Sequence, residues 1–170
     1  MNEKEFITEL KKLNIKNYNE VEKIIKDKLK YFFHEELFFV GKKFKTDKDA
    51  IENMCNTMLD LKFVDIDYKE QIYEHERISP SSYGNIAIPH PLNTKAKSSV
   101  IAVCLSPSPI LWGSNKVNLV FMLSLKEEDK DYFADIFSFI DSILKDETKF
   151  KLLINAKNYD EFIDYLISVF

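Results

Sequence analysis

The sequence predicts a single α/β domain with strands in the middle of the chain and helices towards both ends. Three observations carry that reading. Residues 99–105 and 117–125 are nearly continuous apolar runs, the pattern of strands covered on both faces. Residues 19–33, 46–61 and 129–145 repeat apolar side chains every three to four positions, which is the period of a helix. No repeat or low-complexity segment interrupts the 170 residues, a length that gives one domain a full core.

Taken in order, residues 5–13 read as a short helix and 19–33 as a longer one. In the second, Val21, Ile24, Ile25, Leu29 and Phe32 share a face, and Asn17 or Asn19 is placed to cap it. Leu37-Phe38-Phe39-Val40 is a short buried strand that breaks at Gly41-Lys42-Lys43. Thr46 or Asp47 opens the next helix, with Asp49 or Glu52 near its positive end. Ile51, Met54, Cys55, Met58 and Leu59 form its apolar stripe, and it closes near Leu61. Residues 67–76 follow as another helix, and residues 79–85 read as loop.

Ile86 and Ile88 alternate around Ala87 as in a strand. Pro89, with a fixed φ and no N–H donor, ends it. After the 99–105 strand, residues 107–113 predict a turn and a short edge strand, where Trp112 packs at the sheet margin. A helix over 129–145 places Phe133, Ile136, Phe137, Ile140, Ile143 and Leu144 on one side. Two short helices, 147–154 and 159–169, finish the chain, the last with Phe162, Ile163, Leu166 and Ile167 inward.

Hydrophobic residues make up 45% and charged residues 31%, the balance of a soluble globular chain. No apolar run approaches the ~20 residues that span a bilayer, and the opening Met1-Asn2-Glu3-Lys4-Glu5 lacks a signal-peptide core. A cytoplasmic protein without membrane insertion is expected. The net charge of −4 argues against a general nucleic-acid surface. Lysines within 23–30 are interleaved with acidic and apolar residues and read as a solvated helix face. Cys55 and Cys104 sit in apolar stretches without metal spacing, as buried reduced thiols. No metal site, glycine-rich phosphate loop or cofactor is implied.

His90 is the residue most exposed to a chemical reading. It lies where the strand leaves the sheet, between Pro89 and Pro91, and strand ends are where α/β sheets place ligand sites. A neutral imidazole takes and releases groups near pH 7; the same position also suits a turn histidine without a task. Trp112 reads as packing, and His34 as a structural or solvent-facing residue.

Gly84-Asn85-Ile86-Ala87-Ile88-Pro89-His90-Pro91 resembles the phosphorylation-site signature of fructose/mannitol-type (type 2) enzyme IIA domains of the bacterial sugar phosphotransferase system (PTS). The order of the other segments agrees over roughly residues 37–170. These are the 45–61 helix, His75-Glu76-Arg77, the loop 79–82, the 99–105 strand, Pro109-Ile110-Leu111-Trp112 and the strand from Val117. Leu37-Phe38-Phe39, Asn85 with Pro91, and Asp131-Tyr132-Phe133 resemble more closely the enzyme IIA module at the C-terminus of PRD-containing, BglG-family transcription regulators and antiterminators.

The resemblance implies a mixed β-sheet covered by helices on both faces over 37–170, with residues 1–36 as a helical lead-in or linker. It implies that His90 accepts a phosphoryl group from phospho-HPr and can hand it to an enzyme IIB domain. Such a domain is a phosphocarrier rather than a small-molecule enzyme. In-line phosphoryl transfer is mostly positioning and charge stabilisation. One ring nitrogen of His90 is then pinned by a backbone carbonyl or by the side chain of Asn85 or Ser81, while the other faces phosphorus.

The phosphoryl oxygens need donors, and Arg77 leads on charge and shape, followed by His75, Ser81, Ser82 and Asn85. Glu76 is expected to orient a neighbouring basic group. Family members usually carry an arginine where His75 stands, and transport subunits often carry a second histidine near Tyr132. This chain has only His34, His75 and His90, which favours a regulatory sensor over a transport subunit. Rival readings are that free-standing transport subunit, an interaction module with a vestigial histidine and, more weakly, a hydrolase using His90 as base. The sequence leaves a homodimer open.

Overall fold

A computed structural model describes residues 18–92 and 95–168. They form α1 (Tyr18–Phe32), β1 (Phe33–Val40), α2 (Asp47–Asp60), α3 (Tyr68–Ile78), β2 (Ser82–Tyr83), β3 (Ile86–Ala87), β4 (Val100–Trp112) and β5 (Asn115–Ser124). A 3-10 turn (Glu127–Asp129) then leads to α4 (Lys130–Leu144), α5 (Glu147–Ile154) and α6 (Tyr159–Ser168). The helix expected over 5–13, Asn17 and Val169 lie outside the described residues. Asn19 falls in the first turn of α1 rather than at its cap, because the helix already begins at Tyr18.

Residues 32–127 form one compact unit. Its sheet has the order β1-β4-β5-β3-β2. β1 runs parallel to β4 and β3 parallel to β5, whereas β4–β5 and β2–β3 are antiparallel, so the fold is mixed α/β. Central strands β4 and β5 bury both faces. Ala102, Cys104, Val120 and Met122 point to one side, Ile101, Val103, Leu119 and Phe121 to the other, and all are at most 2% exposed. That explains their continuous apolar runs.

Helices α2 and α3 cover the first side with Ile51, Met54, Cys55, Met58, Tyr68 and Ile72. Small residues Ala87, Ala102 and Cys104 beneath them let helix and sheet approach closely. Tyr68 donates its buried hydroxyl to the Leu123 carbonyl at 2.7 Å. Thr46 caps α2 by accepting from the Asp49 N–H, and Asp49 accepts in return from the Thr46 N–H, a reciprocal capping box.

Three segments differ from the sequence reading. β1 starts at Phe33, four residues before Leu37, because Phe33 pairs with Ile101 and is itself buried. Within the expected loop, Ser82 and Tyr83 pair with Ala87 and Ile86 across Gly84, whose φ of +57° suits a tight hairpin. The expected turn at 107–113 is a continuation of β4. A register shift between Leu105 and Ile110 accommodates Pro107 and Pro109, and pairing with β5 resumes at Ile110–Val117. Asn118 donates its side-chain amide to the Ser106 and Pro107 carbonyls in that irregular stretch. Trp112 is therefore a fully buried core residue rather than a sheet-margin one.

The described residues of the second unit, within 1–31 and 128–170, are helical apart from their connections and part of the 3-10 turn. Tyr31 donates to Asp129 at 3.0 Å, and Lys26 pairs with Asp164 at 3.5 Å. Asp146 caps α5 by accepting from the Lys149 N–H. α5 and α6 bury Phe150, Leu153, Phe162, Ile163 and Leu166. Among the described residues no helix is long and apolar enough to cross a membrane.

Candidate functional site around His90

β3 is only two residues long, yet the chain beyond it stays pinned on both sides. The Asn85 carbonyl accepts from the Asn118 N–H at 2.8 Å, and the Pro89 carbonyl accepts from the Leu123 N–H at 3.0 Å. On the opposite side the Ile88 N–H donates to the Ser81 carbonyl at 3.2 Å. Pro89, which has no N–H to donate, still extends the parallel ladder through its carbonyl. His90 thus leaves a hydrogen-bonded frame, half-buried.

Nδ1 of His90 lies 2.8 Å from the Ile88 carbonyl oxygen. A carbonyl only accepts, so Nδ1 carries the ring proton and Nε2 holds the lone pair. Of the ring-pinning groups weighed from sequence, the backbone carbonyl is the one bonded to the ring. Asn85 is exposed on the hairpin and contributes its carbonyl to the sheet.

His75, in the last turn of α3, stacks at a tilt against His90, with ring centroids 4.1 Å apart and planes at 51°. Burial and the neighbouring His90 ring hold His75 below the usual histidine range, while Glu76 and the Ser79 backbone pull weakly the other way. Helical geometry turns the next residues elsewhere. Arg77 points outward, its side chain 71% exposed, and pairs with Glu74 at 2.5 Å.

Among the described residues Glu76 is bonded to no basic side chain. Its carboxylate accepts from the Ser81 N–H at 3.2 Å, from the Ser81 hydroxyl, and from the Trp112 indole N–H at 3.1 Å. Ser82 accepts from the Asn115 amide at 3.0 Å and makes a long 3.4 Å contact to the Trp112 carbonyl. One carboxylate therefore joins the end of α3, the β2 lead-in and β4. Sequence reasoning missed this role for Glu76 and Trp112. The available signal was chemical: a buried indole N–H requires an acceptor.

Residues 31–169 match the model of the family described as phosphoenolpyruvate-dependent sugar phosphotransferase system, EIIA 2. The chain belongs to this family. Over 152 residues this EIIA 2 chain is 30% identical to a protein named "Probable licABCH operon regulator" in Bacillus subtilis (strain 168), covering 87% of the chain. It spans only 24% of that regulator's length. It is 32% identical over 122 residues to the mannitol-specific phosphotransferase enzyme IIA component of the same organism, covering 68% of the chain and 82% of that protein.

The EIIA 2 fold is also that of enzyme IIA in the complex of mannitol enzyme IIA with phosphorylated enzyme IIB from Escherichia coli. The TM-score is 0.67 at 20% identity, over 81% of this chain and 99% of that one. His90 and His75 both belong to the matched stretch.

Proposed function

We propose that this EIIA 2 domain accepts a phosphoryl group on Nε2 of His90 from phospho-HPr, and that it does so as the sensor module of a larger sugar-responsive transcription regulator. The bond between His90 Nδ1 and the Ile88 carbonyl carries the reading. It fixes the tautomer and leaves the lone pair on Nε2, which is the state an in-line acceptor needs. In the transfer the P–N bond of the donor phosphohistidine breaks, the Nε2–P bond forms, and the donor nitrogen keeps the electron pair. His90 keeps its Nδ1 proton on the carbonyl throughout.

Residues 37–170 are proposed as the acting domain, with 1–36 as a lead-in that contributes the opening residues of β1. His75 is the side chain best placed against a phosphoryl group on His90. Ser81 and Ser82 hold the hairpin frame, Asn85 shapes its turn, and Arg77 offers an outward cation to an incoming donor. Sugar uptake drains phosphate from HPr, so the unmodified form would report active transport to the regulator's other domains, of the PRD-containing, antiterminator-like kind.

Incubation with phospho-HPr should place acid-labile phosphate on the chain, and His90→Ala should abolish it. Equal labelling of that variant would remove the assignment. Similarity to the mannitol enzyme IIA component over 82% of its length favours a second reading, a transport subunit that passes phosphate on. Transfer from labelled His90 to a cognate enzyme IIB, followed by sugar phosphorylation, would decide for it.

A further inference from the structure

One polar atom in the frame around His90 stands apart. Nδ1 of His75 is buried without a well-formed hydrogen bond among the described residues, the Ser79 backbone exerting only a weak pull on the ring, and the ring is centred 4.1 Å from that of His90. Neighbouring Glu76, Ser81, Ser82 and Trp112 all have partners. A buried nitrogen this poorly partnered is costly and calls for an explanation.

We propose that His75 is a proton-coupled partner of the phosphoryl group: neutral in the unmodified domain, it takes up one proton when His90 carries phosphate and then donates to a phosphoryl oxygen. This inference rests on His90 being the acceptor. It adds a regulated feature to that site, since the stability of the phosphorylated form then depends on pH.

The unmodified site favours a neutral His75, because a cationic ring there would be partly buried and set against a second imidazole. Among the described residues, His90, Glu76 and the Ser79 backbone act on it. His90 lies on the segment after β3 and Glu76 on α3 itself. On α2, packed against α3, Glu52 is turned to Lys69 and Tyr73, and Cys55 is a buried thiol. On β4, the uncharged Trp112 is bonded to Glu76.

A phosphoryl group carries close to two negative charges near neutral pH. Opposite charge within about 4–6 Å favours the protonated ring by about 1–3 pH units. The balance is one phosphoryl gained on Nε2 of His90 and one proton gained from water by His75. Protonated, both nitrogens of His75 are donors.

The test uses the full chain labelled with 15N-histidine, with phosphoramidate as a small-molecule phosphoryl donor and 31P NMR to follow modification. His90→Ala and His75→Gln assign the rings. The expected result is a His75 titration midpoint at least about one pH unit higher in the phosphorylated protein. Loss of phosphate from the wild type should then show an added pH dependence across about pH 6 to 8, beyond the intrinsic acid lability of phosphohistidine, and His75→Gln removes that added part.

An unchanged His75 midpoint in a chain that does carry phosphorus on His90 overturns this inference alone. So does the same pH profile of phosphate loss in the variant. Failure of His90 to take phosphorus from either phosphoramidate or phospho-HPr overturns the acceptor reading and this inference with it.

Discussion

The Trp112 indole N–H donates to the Glu76 carboxylate at 3.1 Å, tying the end of β4 to the last turn of the helix that carries His75. The same carboxylate accepts from Ser81, so one acidic side chain fixes the spacing between α3 and the hairpin that presents His90. Removing it leaves a buried indole donor unsatisfied. Glu76→Ala should cost about 1–3 kcal/mol of stability, read as a lower urea midpoint with little change in slope. Glu76→Gln, which keeps one acceptor oxygen, should lose less. A midpoint for the alanine variant equal to the wild type would show that the carboxylate does not hold the frame.

Adjacent residues on β4 should behave oppositely. Trp112 is fully buried, whereas Leu111 is half exposed. Trp112→Ala should cost about 3–5 kcal/mol through the cavity it leaves. Leu111→Ala should stay within about 0.5 kcal/mol of the wild type. Similar losses for the two, by equilibrium unfolding, would contradict the strand's orientation.

The α2 cap is remote from His90 in the chain and separable from it. Thr46→Ala removes the oxygen that accepts from the Asp49 N–H and should cost about 1 kcal/mol. Phosphate labelling below the unfolding transition should match that of the wild type. A labelling defect in the folded variant would mean that the cap also shapes the site.

Stability should fall in mild acid through His75. Burial, then the His90 ring, lowers its folded-state value below that of the unfolded chain. The unfolded state therefore binds the proton first as pH drops through about 6.5. Stability declines from there to the lowered folded value and levels off below both. His75→Gln should flatten that stretch of the stability–pH curve, measured by urea unfolding at a series of pH values. An unaltered slope would count against the lowered value.

Cys55 and Cys104 should resist alkylation in the folded protein. Burial pushes both thiols up to about 12, and the thiolate is the reactive form. Their labelling by iodoacetamide at pH 8 should keep pace with unfolding as urea is raised. Rapid modification of either in native buffer would show that its side of the sheet opens readily.

Much of the scaffold could be read before any coordinates. The short helix read over 147–154 is α5. The apolar runs of β4 and β5 announced strands buried on both faces. The alternation of Ile86 and Ile88 before Pro89 located His90 at a strand end. Less was legible where distant pairings overrule local signals. Pro107 and Pro109 look like a turn, yet a register shift carries β4 through them because Ile110 and Trp112 have a core to fill. Ser82 and Tyr83 look like loop, yet they find a partner across Gly84.

Composition and periodicity by themselves determined that helices flank a buried sheet, because hydrophobic spacing is a property of neighbours along the chain. Only the tertiary structure decided how the residues around His90 divide the work. Arg77 and His75 are two positions apart on a helix, and successive residues on a helix point in different directions. One turns out to Glu74, the other in against His90. The inward turn of His75 is settled where α3 meets the segment after β3, in a contact between residues far apart in the chain that no local pattern records. The Ile88 carbonyl that sets the tautomer of His90 is a near neighbour, and its bond depends on how the sheet holds the backbone around Pro89.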